Sequence, residues 1–122
     1  MTVIRVKDLT IRTFIGFKPH EKKYKQDVIL QLEVDVDTSM VEPNDDPETP
    51  GFYDYRNMSK TVTKLVEESR FDLLEALTRN VLDEIMRNSM VRKARVEIEK
   101  PNALRYSKSV SVEMSAKRNS GS

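Results

Sequence analysis

The chain has no cysteine and a single histidine, His20, in 122 residues. Without cysteine there is no disulfide framework, no thiolate nucleophile and no sulfur-ligated metal. One histidine excludes a histidine-rich zinc site within one chain. Apolar runs are short: none approaches the roughly 20 residues that span a bilayer, and the first residues carry no signal-peptide core. A strongly basic balance is also missing. Formal net charge is +1, with 34% of residues charged and both signs interspersed, which argues against nucleic-acid binding by bulk charge. No internal repeat, glycine-rich phosphate loop or low-complexity segment interrupts the chain. The expectation is a soluble cytoplasmic protein with neither nucleic acid nor membrane as partner. The length suits one domain over residues 1–118, followed by a flexible tail over 119–122.

What is present is alternation. Residues 3–16 read as a strand, with Leu9, Ile11, Thr13 and Ile15 on one face. Ile4 and Val6 continue that face before a register shift around Lys7 and Asp8. Lys18 to Lys25 is a polar connection in which His20 is assigned to the surface. Val28, Leu30, Leu32, Val34 and Val36 then alternate with Ile29, Gln31, Glu33, Asp35 and Asp37, a strand with one buried face. Residues 43–54 are rich in Pro, Asp and Gly and read as an irregular loop. Met58, Val62, Leu65 and Val66 recur at helical spacing over Tyr55 to Ser69. A second helix spans Leu73 to Asn88, with Leu74, Leu77, Val81 and Ile85 on one stripe and Leu73, Leu82 and Met86 beside it. Asp72 followed by Glu75 predicts a capping box at its start. Alternation returns over Val91 to Ile98 and again over Val110, Val112, Met114 and Ala116. The order β-β-α-α-β-β predicts an α+β fold, a four-stranded antiparallel sheet with two helices on one face.

Lys100 closes the third strand and is followed by Pro101, which biases the preceding residue towards extended backbone. Local geometry therefore decides where this ammonium leaves the sheet, and a partly desolvated lysine can pass protons near neutrality. Among 21 Lys and Arg residues, an ordinary solvated strand-end lysine is the default reading of this position alone.

Four separated segments change that weighting. RTFIGFKPHEKKYKQDV (Arg12 to Val28), DYR (Asp54 to Arg56), RFDLLEALT (Arg70 to Thr78) and EKPNALRYSKSVSVEM (Glu99 to Met114) resemble the dihydroneopterin aldolases and their sisters, the dihydroneopterin triphosphate epimerases. The resemblance covers nearly the whole chain, and the RTFIG, FDLLE and ALRYSKSVS wording is closer to the epimerase branch. It implies the tunnelling fold, in which the sheets of four subunits close into a barrel, as a homo-tetramer or a doubled homo-octamer with sites between subunits. It implies a reduced pterin as small-molecule substrate and retro-aldol chemistry needing no metal and no cofactor, because the dihydropterin ring is its own electron sink. Epimerisation of dihydroneopterin triphosphate leads; dihydroneopterin aldolase is the runner-up, and a non-catalytic pterin- or purine-binding oligomer or a structural ring without ligand lies behind both. The zinc-dependent members of the fold, GTP cyclohydrolase and pyruvoyltetrahydropterin synthase, are excluded because this chain lacks their ligands.

Carried over residue by residue, the resemblance makes Lys100 the proton-transfer lysine and Glu21 the loop carboxylate that positions substrate and water. Tyr55 is the tyrosine that assists protonation, reaching the site of a neighbouring subunit. Glu75 grips the amino and ring N–H donors of the pterin, since a carboxylate accepts two parallel hydrogen bonds; Leu74 and Tyr53 are further substrate-binding positions. Arg105 and Lys108 are candidate phosphate contacts, with Lys22, Lys23 and Lys25 behind them. The stretch before Tyr55 is a couple of residues longer than the family's usual one.

Overall fold

The computed structural model describes residues 1–119; the remainder of the expected tail, residues 120–122, lies outside the described residues. The elements are β1 (Thr2–Ile15), α1 (Pro19–Lys23), β2 (Gln26–Val36), α2 (Tyr55–Glu67), β3 (Arg70–Phe71), α3 (Leu74–Met86), β4 (Lys93–Pro101) and β5 (Ser109–Lys117). The sheet runs β3-β1-β2-β4-β5, antiparallel throughout except for the parallel pairing of Phe14–Ile15 with Arg70–Phe71. The α+β class and the four antiparallel strands expected from periodicity are present. The two additions, α1 and β3, are five and two residues long, too short to carry a period.

The register shift in β1 is a bulge between Val6 and Leu9, with Asp8 at φ 55. The extra residue returns Leu9, Ile11, Thr13 and Ile15 to the face that Ile4 and Val6 occupy. On β2, Val28, Leu30, Leu32, Val34 and Val36 are all buried, as are Ala94, Val96 and Ile98 on β4. One face of α2 (Met58, Val62, Val66) and one of α3 (Leu74, Leu77, Val81, Leu82, Ile85) join them in one core cluster. Thr13 is the polar member of this layer, and its hydroxyl donates to the Val66 carbonyl at 2.6 Å, tying the end of α2 to the end of β1.

The start of α3 departs from expectation. Leu73, not Asp72, is the N-cap residue; it makes no side-chain cap hydrogen bond and is exposed rather than part of the apolar stripe. Asp72 is drawn away by Lys22, whose ammonium lies 2.6 Å from its carboxylate. The cap forms instead on α2, where the Asp54 carboxylate accepts from the amides of Arg56 and Asn57 at 3.1 and 3.0 Å. At the far end of α3, Arg118 beyond β5 donates to the carbonyls of Met86 and Val91.

Candidate active site

Pairing registers show which residues share an end of the sheet. Thr13 near the end of β1 faces Gln26 at the start of β2, Ile29 faces Glu99 near the end of β4, and Pro101 faces Ser109 at the start of β5. β3 lies beside Phe14 and Ile15, and α3 starts three residues after β3. Glu21 on α1, Lys100 on β4, Glu75 on the first turn of α3 and the hairpin carrying Arg105 and Lys108 therefore gather at this one end.

Lys100 and Glu21 meet there. The Lys100 ammonium donates to Glu21 Oε2, and the two side chains are only 16% and 9% exposed. Gln26 Nε2 donates to the same carboxylate oxygen at 3.2 Å and to the Ile15 carbonyl at 3.0 Å, clamping the carboxylate between two strands. The Lys18 amide reaches Glu21 Oε1 at 3.4 Å across the first turn of α1, where Pro19 occupies the first helical position. Burial on its own raises the Glu21 carboxyl; hydrogen bonds from Lys100 and Gln26, the Lys100 charge and the Lys18 amide outweigh it, and the net shift is downward.

Gly16 makes room for this carboxylate. Its φ is +124°, and a Cβ at this position would overlap the Glu21 carboxyl group. Gly16 also donates its amide to the Phe71 carbonyl at 3.0 Å, which continues the β1–β3 pairing. Beside Glu21 lies a cavity of about 130 Å³ lined by Phe14, Gly16, Lys22, Arg70 and Phe71. Glu75 is exposed, and among the described residues its carboxylate has no hydrogen-bond or ion-pair partner. Freed from the expected capping box, it is available to a ligand. Leu74 beside it is buried and gives its carbonyl to the Thr78 hydroxyl at 2.8 Å. Arg105 and Lys108 project from an exposed loop, Arg105 lying 5.3 Å over the Tyr106 ring. His20 is at the surface, as expected.

Tyr55 and Tyr53 do not join this group within one chain. The end of α2 is fastened to Thr13, and the helix rises about 1.5 Å per residue, so Tyr55 at its start lies roughly 16 Å away along the axis. Tyr55 is exposed, whereas Tyr53 is buried at a second, larger cavity of about 330 Å³ between the start of α2 and the end of α3. Burial, and secondarily the Asp54 charge, raises the Tyr53 phenol. The larger cavity is thus at the opposite end from Lys100 and Glu21. Sequence reasoning did not single out Gly16, Gln26 or Arg70. The glycine closing RTFIG was the available signal for the first; the other two had none. Among the described residues no cluster of His, Cys, Asp or Glu could hold a metal ion, and no helix is long and apolar enough to cross a membrane.

These features agree with the comparisons to known proteins. The chain is 44% identical over 119 residues to the dihydroneopterin triphosphate 2'-epimerase of Pseudomonas aeruginosa, covering 97% of this chain and 94% of that one. The enzyme of the same name from Escherichia coli K12 is 38% identical over 116 residues, covering 95% of each. The solved structure of Escherichia coli dihydroneopterin aldolase in complex with neopterin superposes with a TM-score of 0.88 at 23% identity, covering 95% of this chain and 99% of that one. The family model described as FolB, dihydroneopterin aldolase, matches residues 4–115, so the chain belongs to the dihydroneopterin aldolase family.

Proposed function

We propose that the protein is a pterin-modifying enzyme that epimerises dihydroneopterin triphosphate at the second side-chain carbon by retro-aldol and aldol steps. The observation that carries this reading is the nearly buried Lys100–Glu21 pair, at the same sheet end as the unpartnered carboxylate of Glu75. Glu75 holds the amino and ring N–H donors of the pterin, with Leu74 backing it. Lys100, once its ammonium has released a proton, takes the proton of the second side-chain hydroxyl as the free amine, and Glu21 fixes the lysine and orients water. The bond between the first and second side-chain carbons breaks. Its electron pair moves into the ring C=N system, and the hydroxyl-bearing carbon becomes an aldehyde.

Two outcomes follow from that intermediate. Re-addition of the first carbon to the opposite face of the retained aldehyde gives the inverted stereoisomer. Protonation of the first carbon and escape of the aldehyde gives the aldolase outcome, 6-hydroxymethyl-dihydropterin plus the two-carbon aldehyde, which is glycolaldehyde when the substrate is unphosphorylated dihydroneopterin and its triphosphate ester otherwise. The names of the relatives at 44% and 38% identity favour retention; the description of the family model favours escape as the second reading.

The site is completed between subunits of a homo-tetramer or homo-octamer. Tyr55, roughly a helix length from Lys100 in its own chain, then approaches the pair of a neighbour and assists protonation. Among the described residues the five-stranded sheet ends on β5, whose outer edge is unpaired and available to another subunit. The test is incubation with dihydroneopterin and, separately, its triphosphate, with products resolved by chromatography. A stereoisomer of unchanged mass supports epimerase and glycolaldehyde release supports aldolase. Neither product would overturn the proposal, and ligand binding unaltered by Lys100→Ala would then indicate a non-catalytic binder.

A further inference from the structure

We infer that the cavity beside Glu21 is an anion subsite for the phosphate chain of the substrate, with the Arg70 guanidinium as its principal cation and Lys22 as its second. The inference rests on the pterin reading above and assigns the phosphate recognition that reading needs. The chemistry of the substrate limits where its phosphate can be. The reacting hydroxyl carbon and the first phosphorus are separated by only one carbon and one oxygen, so a carbon held at Lys100 and Glu21 places that phosphate against their immediate surroundings.

Those surroundings are cationic on one side. The cavity wall contains Arg70 and Lys22 together with Phe14, Gly16 and Phe71. Its one carboxylate is Glu21, whose charge Lys100 already balances. Lys22 is balanced by Asp72, but at an exposed pair in which both side chains are 57% accessible, so exchanging that partner for a phosphate costs little. Arg70 differs from both. Among the described residues it meets no carboxylate; its guanidinium is stacked 3.9 Å from the centroid of the Phe14 ring. Lys25 lies 5.7 Å from the same centroid, which adds positive charge beside the stacked arginine. Stacking fixes the guanidinium plane and leaves its N–H donors for a ligand, which suits bidentate binding of a phosphate. β3 exists as two residues paired to Phe14 and Ile15, and this pairing is what holds Arg70 over the ring.

Arg105 and Lys108 are the alternative. They sit on an exposed hairpin loop, with Arg105 farther from its ring (5.3 Å over Tyr106). The experiment compares Arg70→Gln and Arg105→Gln in the whole protein, with kcat/KM measured on dihydroneopterin triphosphate and on dihydroneopterin. Arg70→Gln is expected to lower the ratio of the two specificity constants about 10- to 100-fold, carried by KM for the triphosphate, with partial recovery in Arg70→Lys. An equal loss on both substrates, no loss, or the same selective loss in Arg105→Gln alone overturns the assignment. Calorimetry with inorganic triphosphate separates this inference from the enzymatic reading. If the wild-type protein turns over neither pterin yet binds triphosphate, and Arg70→Gln abolishes that binding, the subsite stands while the reaction falls. Equal binding by both proteins, or none by the wild type, removes the subsite.

Discussion

Two of the places where cations meet carboxylates in this molecule have surroundings that make them different devices. On the sheet face opposite the helices, Arg5, Glu33, Arg95 and Glu113 run across β1, β2, β4 and β5 with contacts of 2.8, 3.6 and 2.5 Å. Among the described residues, Lys100 at the sheet end meets Glu21 alone. Glu33 resembles Glu21 in one respect: burial raises it, but Arg5 and Arg95 outweigh burial and the net shift is downward. The ladder, however, is half open to solvent, and its central carboxylate, Glu33, keeps one arginine if the other is lost. Glu21 has one cation, sits over a glycine, and has both oxygens engaged. Redundant and solvated pairs stabilise weakly and tolerate change. A single, desolvated pair is sensitive to every neighbour, which is what proton transfer requires and what stability does not.

Removing the lysine should have the largest effect. Lys100→Ala is expected to lower kcat about a hundred- to ten-thousand-fold while leaving pterin affinity, read by fluorescence titration, within severalfold of wild type. An equal fall in affinity would mean that the pair serves binding rather than proton transfer. Next in size is Gly16→Ala, which adds a Cβ where the Glu21 carboxylate lies and forces an alanine into positive φ. Thermal unfolding should report a loss of about 1–3 kcal/mol together with reduced activity. Unaltered activity would show that the Glu21 position is not critical.

Glu21→Gln sharpens the contrast through pH. The folded carboxyl titrates below its ordinary value of 4.5, so its pairing stabilises the protein above that pH and the stabilisation fades as pH falls through the lower folded value. The variant should therefore lose less Tm than wild type on acidification from about pH 5 to about pH 3. The smallest effect belongs to the ladder. Arg5→Ala should cost about 0.2–1 kcal/mol, diminish with added salt and leave kcat unaltered; a loss of activity would connect the open face to the chemistry.

Legibility followed from how many residues carry a signal. The strands and helices were visible because each repeats its pattern several times: five buried positions on β2, four on the α3 stripe, and even the β1 bulge, which breaks the period at Lys7 and Asp8. α1 and β3 each hold little more than one period, so nothing repeated. Asp72 followed by Glu75 had the spacing of a capping box, yet Lys22, fifty positions earlier in the chain, competes for the aspartate and wins. Lys100, Glu21 and Glu75 were named through motif resemblance, and their meeting at one end of the sheet depends on strand registers that no local pattern states. Gln26 and Arg70 were missed for the same reason: an ordinary glutamine and arginine acquire their roles only from what the fold sets beside them.

Arg118 has a consequence for the order in which the protein matures. The last turn of α3 leaves carbonyls that the helix itself cannot satisfy, and the guanidinium donating to Met86 and Val91 lies about thirty positions downstream. During synthesis that turn emerges well before its clasp is translated. That turn is expected to gain its last hydrogen-bond partners only when the final strand is delivered, and truncation before position 118 should speed amide hydrogen exchange at the end of α3.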